Sequence, residues 1–123
     1  MRRRLLRRLS NLLVAGIFVS GGADAFRDPG PRAAKAGDLG LPYPETMTRL
    51  NGAAMVVTGA ALGLGLARRW AARVLMASLV PTTVAGHPFW KEGDPKARAM
   101  QRTQFMKNLG LLGALVGIEA YEG

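Results

Sequence analysis

Residues 50–67 read LNGAAMVVTGAALGLGLA, a stretch without a charge that is bounded by Arg49 and Arg68. It lacks the period-2 alternation of a half-exposed strand, and it is rich in Ala, Leu and Gly rather than in β-branched residues. Hydrocarbon offers no hydrogen-bond partner to backbone N–H and C=O groups, so such a run crosses a bilayer as a helix. Three further runs, at residues 5–25, 70–86 and 105–121, have the same character. Each is about 17–21 residues long, the length a helix needs to span ~30 Å of hydrocarbon. The expected fold is all-α, an integral membrane four-helix bundle with up-down topology, forming a single transmembrane domain over residues 1–123.

The charge pattern agrees. The chain has 123 residues, is 49% hydrophobic and carries a formal net charge of +9. In a soluble protein that balance would suggest nucleic acid. Here the bases form short clusters between apolar runs, which is a membrane pattern, and no nucleic-acid partner is expected. With no Cys and one His, the chain excludes thiol–disulfide exchange, Fe–S ligation, Cys-based zinc and a bis-His haem within one copy. No catalytic constellation and no metal site is legible.

Orientation follows from Lys and Arg in the short flanks. Arg2, Arg3, Arg4, Arg7 and Arg8, then Arg68, Arg69 and Arg73, fall on one side with no acid among them. The other side mixes its bases with Asp28, Asp38, Glu45, Glu92 and Asp94. The expectation is a multi-pass protein of the cell membrane with both termini cytoplasmic. A rival reading takes the arginines, the apolar run and Ala23-Asp24-Ala25 as a cleavable signal peptide, which would leave three spans.

Between the runs, residues 26–49 contain Pro29, Pro31, Pro42 and Pro44 and read as an irregular external loop. The Arg68–Arg69 connection predicts an antiparallel hairpin. Pro81 predicts a kink, with Thr82 or Thr83 satisfying the freed carbonyl. From Pro95 a helical stretch is expected to lie along the interface before the last span. Small residues recur at four-residue spacing: Gly16 and Ser20, Gly59 and Gly63, Ser78, Thr82 and Gly86, Gly113 and Gly117. They suit close packing within one copy, with homo-oligomer formation as the alternative. Gly63-Leu-Gly65 has no preceding strand and is no nucleotide loop.

Polar residues collect at the outer ends of the expected spans: Asp24, Asn51, His87, Lys107 and Asn108. An Asp24–Lys107 pair would lower the cost of placing either charge near lipid. Read functionally, they form a pocket for a polar headgroup or a proton path; read structurally, they join helices. At the inner end, Glu119 is expected to pair with Arg68, Arg69 or Arg73. In His87-Pro88-Phe89-Trp90, the aromatic rings beside an imidazole suit a flat ligand such as a quinone, or an aromatic belt at headgroup level.

Taken in order, several pieces resemble the DoxX family of small bacterial and archaeal membrane proteins. They are Gly21-Gly22-Ala-Asp24-Ala-Phe-Arg27-Asp-Pro29, Leu39-Gly-Leu-Pro42, Arg49-Leu-Asn51-Gly52, the run from Ser78 to Trp90, Asp94-Pro95, and the run from Gln104 to Gly113. Where related chains commonly have Lys near the end of the first helix, this one has Asp24. The resemblance implies a four-helix membrane bundle. It also implies a link either to thiosulfate:quinone oxidoreduction or to membrane complexes with soluble superoxide- and sulfur-handling enzymes. Three functions compete. The first is an accessory or scaffold subunit holding a soluble redox enzyme. The second is a quinone-linked oxidoreductase subunit using His87, Trp90 and Lys107 with Asp24, Asn51 and Asn108 nearby. The third is a small transporter, for which Thr58 is the fair mid-bilayer candidate.

Overall fold

In the computed structural model, which describes residues 1–122, the chain is all-helical. Helix α1 spans Arg2–Arg27, α2 Gly30–Asp38, α3 Pro44–Leu64, α4 Arg68–Gly86 and α5 Pro95–Glu122, with one 3-10 turn at Phe89–Lys91. The described residues include no strand. Contacts between the four long helices fix their directions. Gly22 of α1 meets Gly52 of α3, while Leu12 and Ala15 lie against Gly63. On the other side, Thr83 of α4 meets Asn108 of α5, and Arg73 meets Glu119. The long helices therefore alternate in direction. One end, here the arginine end, gathers the starts of α1 and α4; the other is the loop end. Among the described residues, α1 alone is long and apolar enough by itself to cross a membrane. The other long helices carry Arg49, Arg73, Lys107 or Glu119 within their length, which dilutes their apolar windows.

The packed core lies in the arginine half. Val14 and Phe18 of α1, Leu62 of α3, Leu75 and Leu79 of α4, and Leu115 and Ile118 of α5 form one cluster, closed by Ala71 and Ala72. Small residues on α4 let the larger side chains of three neighbours converge there, and the gain is dispersion over many close contacts. One polar residue shares this interior. Asn11 is only 2% exposed, and its Oδ1 has no donor among the described residues.

At Gly22 and Gly52 the backbones of α1 and α3 meet directly. A Cβ on Gly52 would stand 2.6 Å from the Gly22 carbonyl oxygen, and one on Gly22 would stand 2.6 Å from the Gly52 carbonyl oxygen. Backbones approach this closely only where both partners lack a Cβ. The expected packing of small residues within one copy holds for Gly59 and Gly63, which face α1. It fails for Gly16, Gly113 and Gly117, where a Cβ would meet nothing within 4 Å because these positions face away from the neighbouring helices.

Several boundaries differ from the sequence reading. Residues 26–49 are not an irregular loop. Pro31 lies in the first turn of α2 and Pro44 opens α3, and a first turn tolerates proline because its N–H groups have no partner in the helix. Helix α3 ends at Leu64 rather than at residue 67. Gly65 adopts φ +77 and donates to Leu62 O, while Leu66 N–H donates to Ala61 O, a left-handed C-cap. Ala67 follows with φ 45, and α4 starts at Arg68, which forms the antiparallel hairpin.

Helix α4 continues through Pro81. The Thr82 hydroxyl donates to the Ser78 and Leu79 carbonyls and that of Thr83 to Leu79, not to the Ala77 carbonyl that Pro81 leaves without its helical donor. The stretch from Pro95 is no separate interfacial segment but the start of α5. Asp94 caps it, its Oδ2 accepting from Ala97 N–H at 3.0 Å.

Candidate functional site

Polar contacts in the loop half are arranged along one helix. On α4, Ser78 Oγ donates to Asn51 Oδ1 of α3 at 2.7 Å. One turn on, Thr83 Oγ1 accepts from Asn108 Nδ2 of α5 at 3.0 Å and donates to its own Leu79 carbonyl at 2.6 Å. Past the end of the helix, His87 Nδ1 meets Gln101 Oε1 of α5 at 2.7 Å. An amide oxygen cannot donate, so Nδ1 carries the hydrogen, and in the neutral ring Nε2 is the acceptor. Each contact joins the α4 segment to a neighbouring helix.

Two cations finish the loop end. Lys35 of α2 donates to the Gly86 carbonyl at 2.9 Å, on the last turn of α4. Arg49 of α3 donates to the Phe26 carbonyl at 2.5 Å, on the last turn of α1, and its guanidinium lies 6.0 Å from the Phe26 ring centroid. Helix C-termini carry partial negative charge and unpaired carbonyls, so a cation from elsewhere in the fold satisfies both. In this way α2 is a strap, tying the chain after α1 to the end of α4.

The six candidate residues are therefore not one cluster. Asn51, Asn108 and His87 each bond to a different partner along the α4 line. Lys107 points away from it, its Nζ donating to Gln104 Oε1 on the same helix at 2.7 Å. Asp24 lines a separate open depression of about 300 Å³ with Arg27, Asp28, Pro31 and Arg32. Among the described residues Asp24 and Lys107 do not pair with each other: Asp24 lines the depression beside α2, and Lys107 bonds along its own helix. Trp90 packs edge-on against Phe89, centroids 5.3 Å apart, and against Phe105 at 5.8 Å. Rings that touch edge to face leave no slot for a flat ligand between Phe89 and Trp90. The groove nearest these groups instead lies between α4 and α5, about 120 Å³ in volume, with Val80, Thr83, Val84, Phe105 and Asn108 on its walls.

At the arginine end, Arg73 holds Glu119 through two nitrogens, Nε at 2.9 and 3.0 Å and one terminal nitrogen at 2.7 Å, as the sequence led one to expect. Thr58 donates to the Ala54 carbonyl of its own helix at 2.6 Å. Sequence reasoning missed Ser78, Thr83 and Gln101 as partners and Lys35 and Arg49 as caps. A hydroxyl in an apolar helix was the available signal for the first two; nothing local marked the caps. No group of three or more His, Cys, Asp or Glu among the described residues can hold a metal.

A family profile described as DoxX matches residues 6–88, about two thirds of the chain. No curated protein and no solved structure matches it.

Proposed function

Because the chain belongs to the DoxX family, a family of membrane proteins, we propose that it is a multi-pass membrane scaffold that holds a soluble redox enzyme at the bilayer. In this reading the four long helices cross the bilayer of the cell membrane as one domain, with both termini in the cytoplasm. The outward faces support it. Leu5, Leu9, Leu12 and Leu13 of α1, Val57 and Leu64 of α3, Val80 and Val84 of α4, and Met106 and Val116 of α5 are exposed, a density of large apolar groups that water does not tolerate on a small protein. At the end that gathers the starts of α1 and α4, Arg2, Arg3, Arg4, Arg7, Arg8, Arg68, Arg69 and Arg73 form a basic flank.

One observation carries the scaffold role. Polar side chains between helices in the loop half each bond a neighbouring helix, Asn51 with Ser78, Asn108 with Thr83 and His87 with Gln101, so each has a part in holding the frame. The test is purification of the tagged full-length protein in mild detergent, with mass spectrometry of whatever is retained. A soluble redox enzyme at a fixed ratio is expected; its absence at low salt from membranes that contain it overturns the proposal.

A quinone-linked subunit is the second reading, and the α4–α5 groove favours it. It carries Phe105 for contact and Thr83 and Asn108 as polar groups, and its volume of about 120 Å³ admits the edge of a ring rather than a whole quinone. With no Cys, such a subunit would draw electrons through a partner or a bound cofactor. Extraction of the purified protein without any bound quinone would remove this reading.

A further inference from the structure

The arginine end differs from the rest of the surface in its chemistry. Every base there is arginine, and the chain's four lysines, Lys35, Lys91, Lys96 and Lys107, all lie in the loop half. Some of these arginines have evident work, since Arg73 holds Glu119 and Arg7 lies 5.3 Å from the Tyr121 ring centroid. Arg2, Arg3, Arg4 and Arg8, on the first turns of α1, are exposed, and their guanidinium groups have no protein partner among the described residues.

Their depth can be read from their neighbours. Over the first turns of α1 exposed Leu5, Leu6 and Leu9 alternate with exposed Arg2, Arg3, Arg4 and Arg8, so leucines and guanidinium groups share one level. Trp70 and Tyr121, 66% and 75% exposed, mark the same level, each with a guanidinium over its ring. Exposed leucine, interfacial aromatic ring and cation at one depth describe the headgroup layer, not the water beyond it. The electrostatics sharpen the point. Neither α1 nor α4 has an acidic residue in its first turn or a side-chain cap, so the positive ends of both helix dipoles add to the arginines. Such a field is offset by an anion of the same layer. Arginine pairs two phosphate oxygens through its planar fork, which lysine cannot do.

We propose that the arginine end binds the phosphodiester groups of anionic phospholipids through Arg2, Arg3, Arg4 and Arg8, with Arg68 and Arg69 alongside. An acidic protein surface is the other partner such charge can attract, but it would have to reach into the headgroup layer between the leucines. The site would fix the depth of α1 in the bilayer and surround this end with acidic lipid. It rests on the membrane reading, and not on any partner enzyme.

The test uses full-length protein in neutral detergent, given phosphatidylglycerol or phosphatidylcholine in turn, with bound lipids counted by native mass spectrometry. Each basic group near an anionic surface contributes roughly fivefold in affinity, so the wild type is expected to prefer phosphatidylglycerol by about tenfold or more. Replacing Arg2, Arg3, Arg4 and Arg8 together by Gln should bring the preference close to unity. Replacing them by Lys, which preserves the charge, should still lower it about threefold through loss of the fork. Removing four bases of the loop half (R32Q, K91Q, K96Q and R102Q) should leave it unchanged. Equal retention of the two lipids by the wild type, an unchanged preference in the Gln variant, or a Lys variant equal to wild type would overturn the proposal. Because no partner protein is in the assay, its failure and that of the scaffold reading are distinguishable.

Discussion

In the arginine half, Phe18, Leu62, Leu75 and Leu115 meet with almost no exposed surface, and side chains from all four long helices take part. In the loop half the same helices are linked by Asn51–Ser78, Asn108–Thr83 and His87–Gln101, by two cations on helix ends, and by a glycine crossing between α1 and α3. The difference follows from side-chain size. Where α4 offers Ala71, Ala72 and Leu75, neighbours interlock by volume; where it offers Ser78 and Thr83, hydrogen bonds to α3 and α5 are added, and the larger apolar contact there is the Phe89–Trp90–Phe105 cluster. In lipid the second means is weaker than it looks, because separated helices also find partners for their polar groups.

The comparison can be broken by mutation, with unfolding in detergent followed by circular dichroism. Leu75→Ala opens the arginine half at a fully buried position and should cost about 3 kcal/mol. A loss under 1 kcal/mol would mean that this half is not the packed one. Gly52→Ala tests the loop half at its tightest point, where the new methyl meets the Gly22 carbonyl and the Phe26 backbone nitrogen. It should cost about 2 kcal/mol by overpacking, and a neutral result would show that α1 and α3 cross at a larger distance. The smallest effect is expected for the Asn51–Ser78 pair. A double-mutant cycle with Asn51→Leu and Ser78→Ala should return about 0.6 kcal/mol of coupling; a value above that expected for Leu75→Ala would invert the contrast between the halves.

The legible part of the site was its charge chemistry. Glu119 lies near the end of an apolar run that must meet the arginines of the hairpin, so pairing with Arg68, Arg69 or Arg73 was legible, and the tertiary structure selects Arg73. The candidates of the loop half were legible as residues but not as partners. Asn51 and Asn108 stand at corresponding levels near the starts of α3 and α5, which run in the same direction, and nothing in their spacing says that both bond to α4 rather than to each other. Asp24 and Lys107 have opposite charge and similar depth, yet rotation of their helices sends them in different directions. Trp90 next to His87 suggests a ligand clamp only until Phe105, from a helix later in the chain, occupies the aromatic contact.

Helicity, the approximate position of the four long segments, the lopsided arginine distribution and the family were fixed by the order of residues alone. These depend on the local balance of apolar length, backbone hydrogen bonding and charge, which each segment carries within itself. Which prolines start a helix, which glycines touch a neighbour and which faces remain open were settled by tertiary contacts. Pro31 breaks nothing because it falls in a first turn, and Gly52 is indispensable only because Gly22 lies across from it. Helix rotation is the physical reason: a turn of α4 or α5 by a fraction of a residue repeat leaves every local preference satisfied but exchanges all the partners between them.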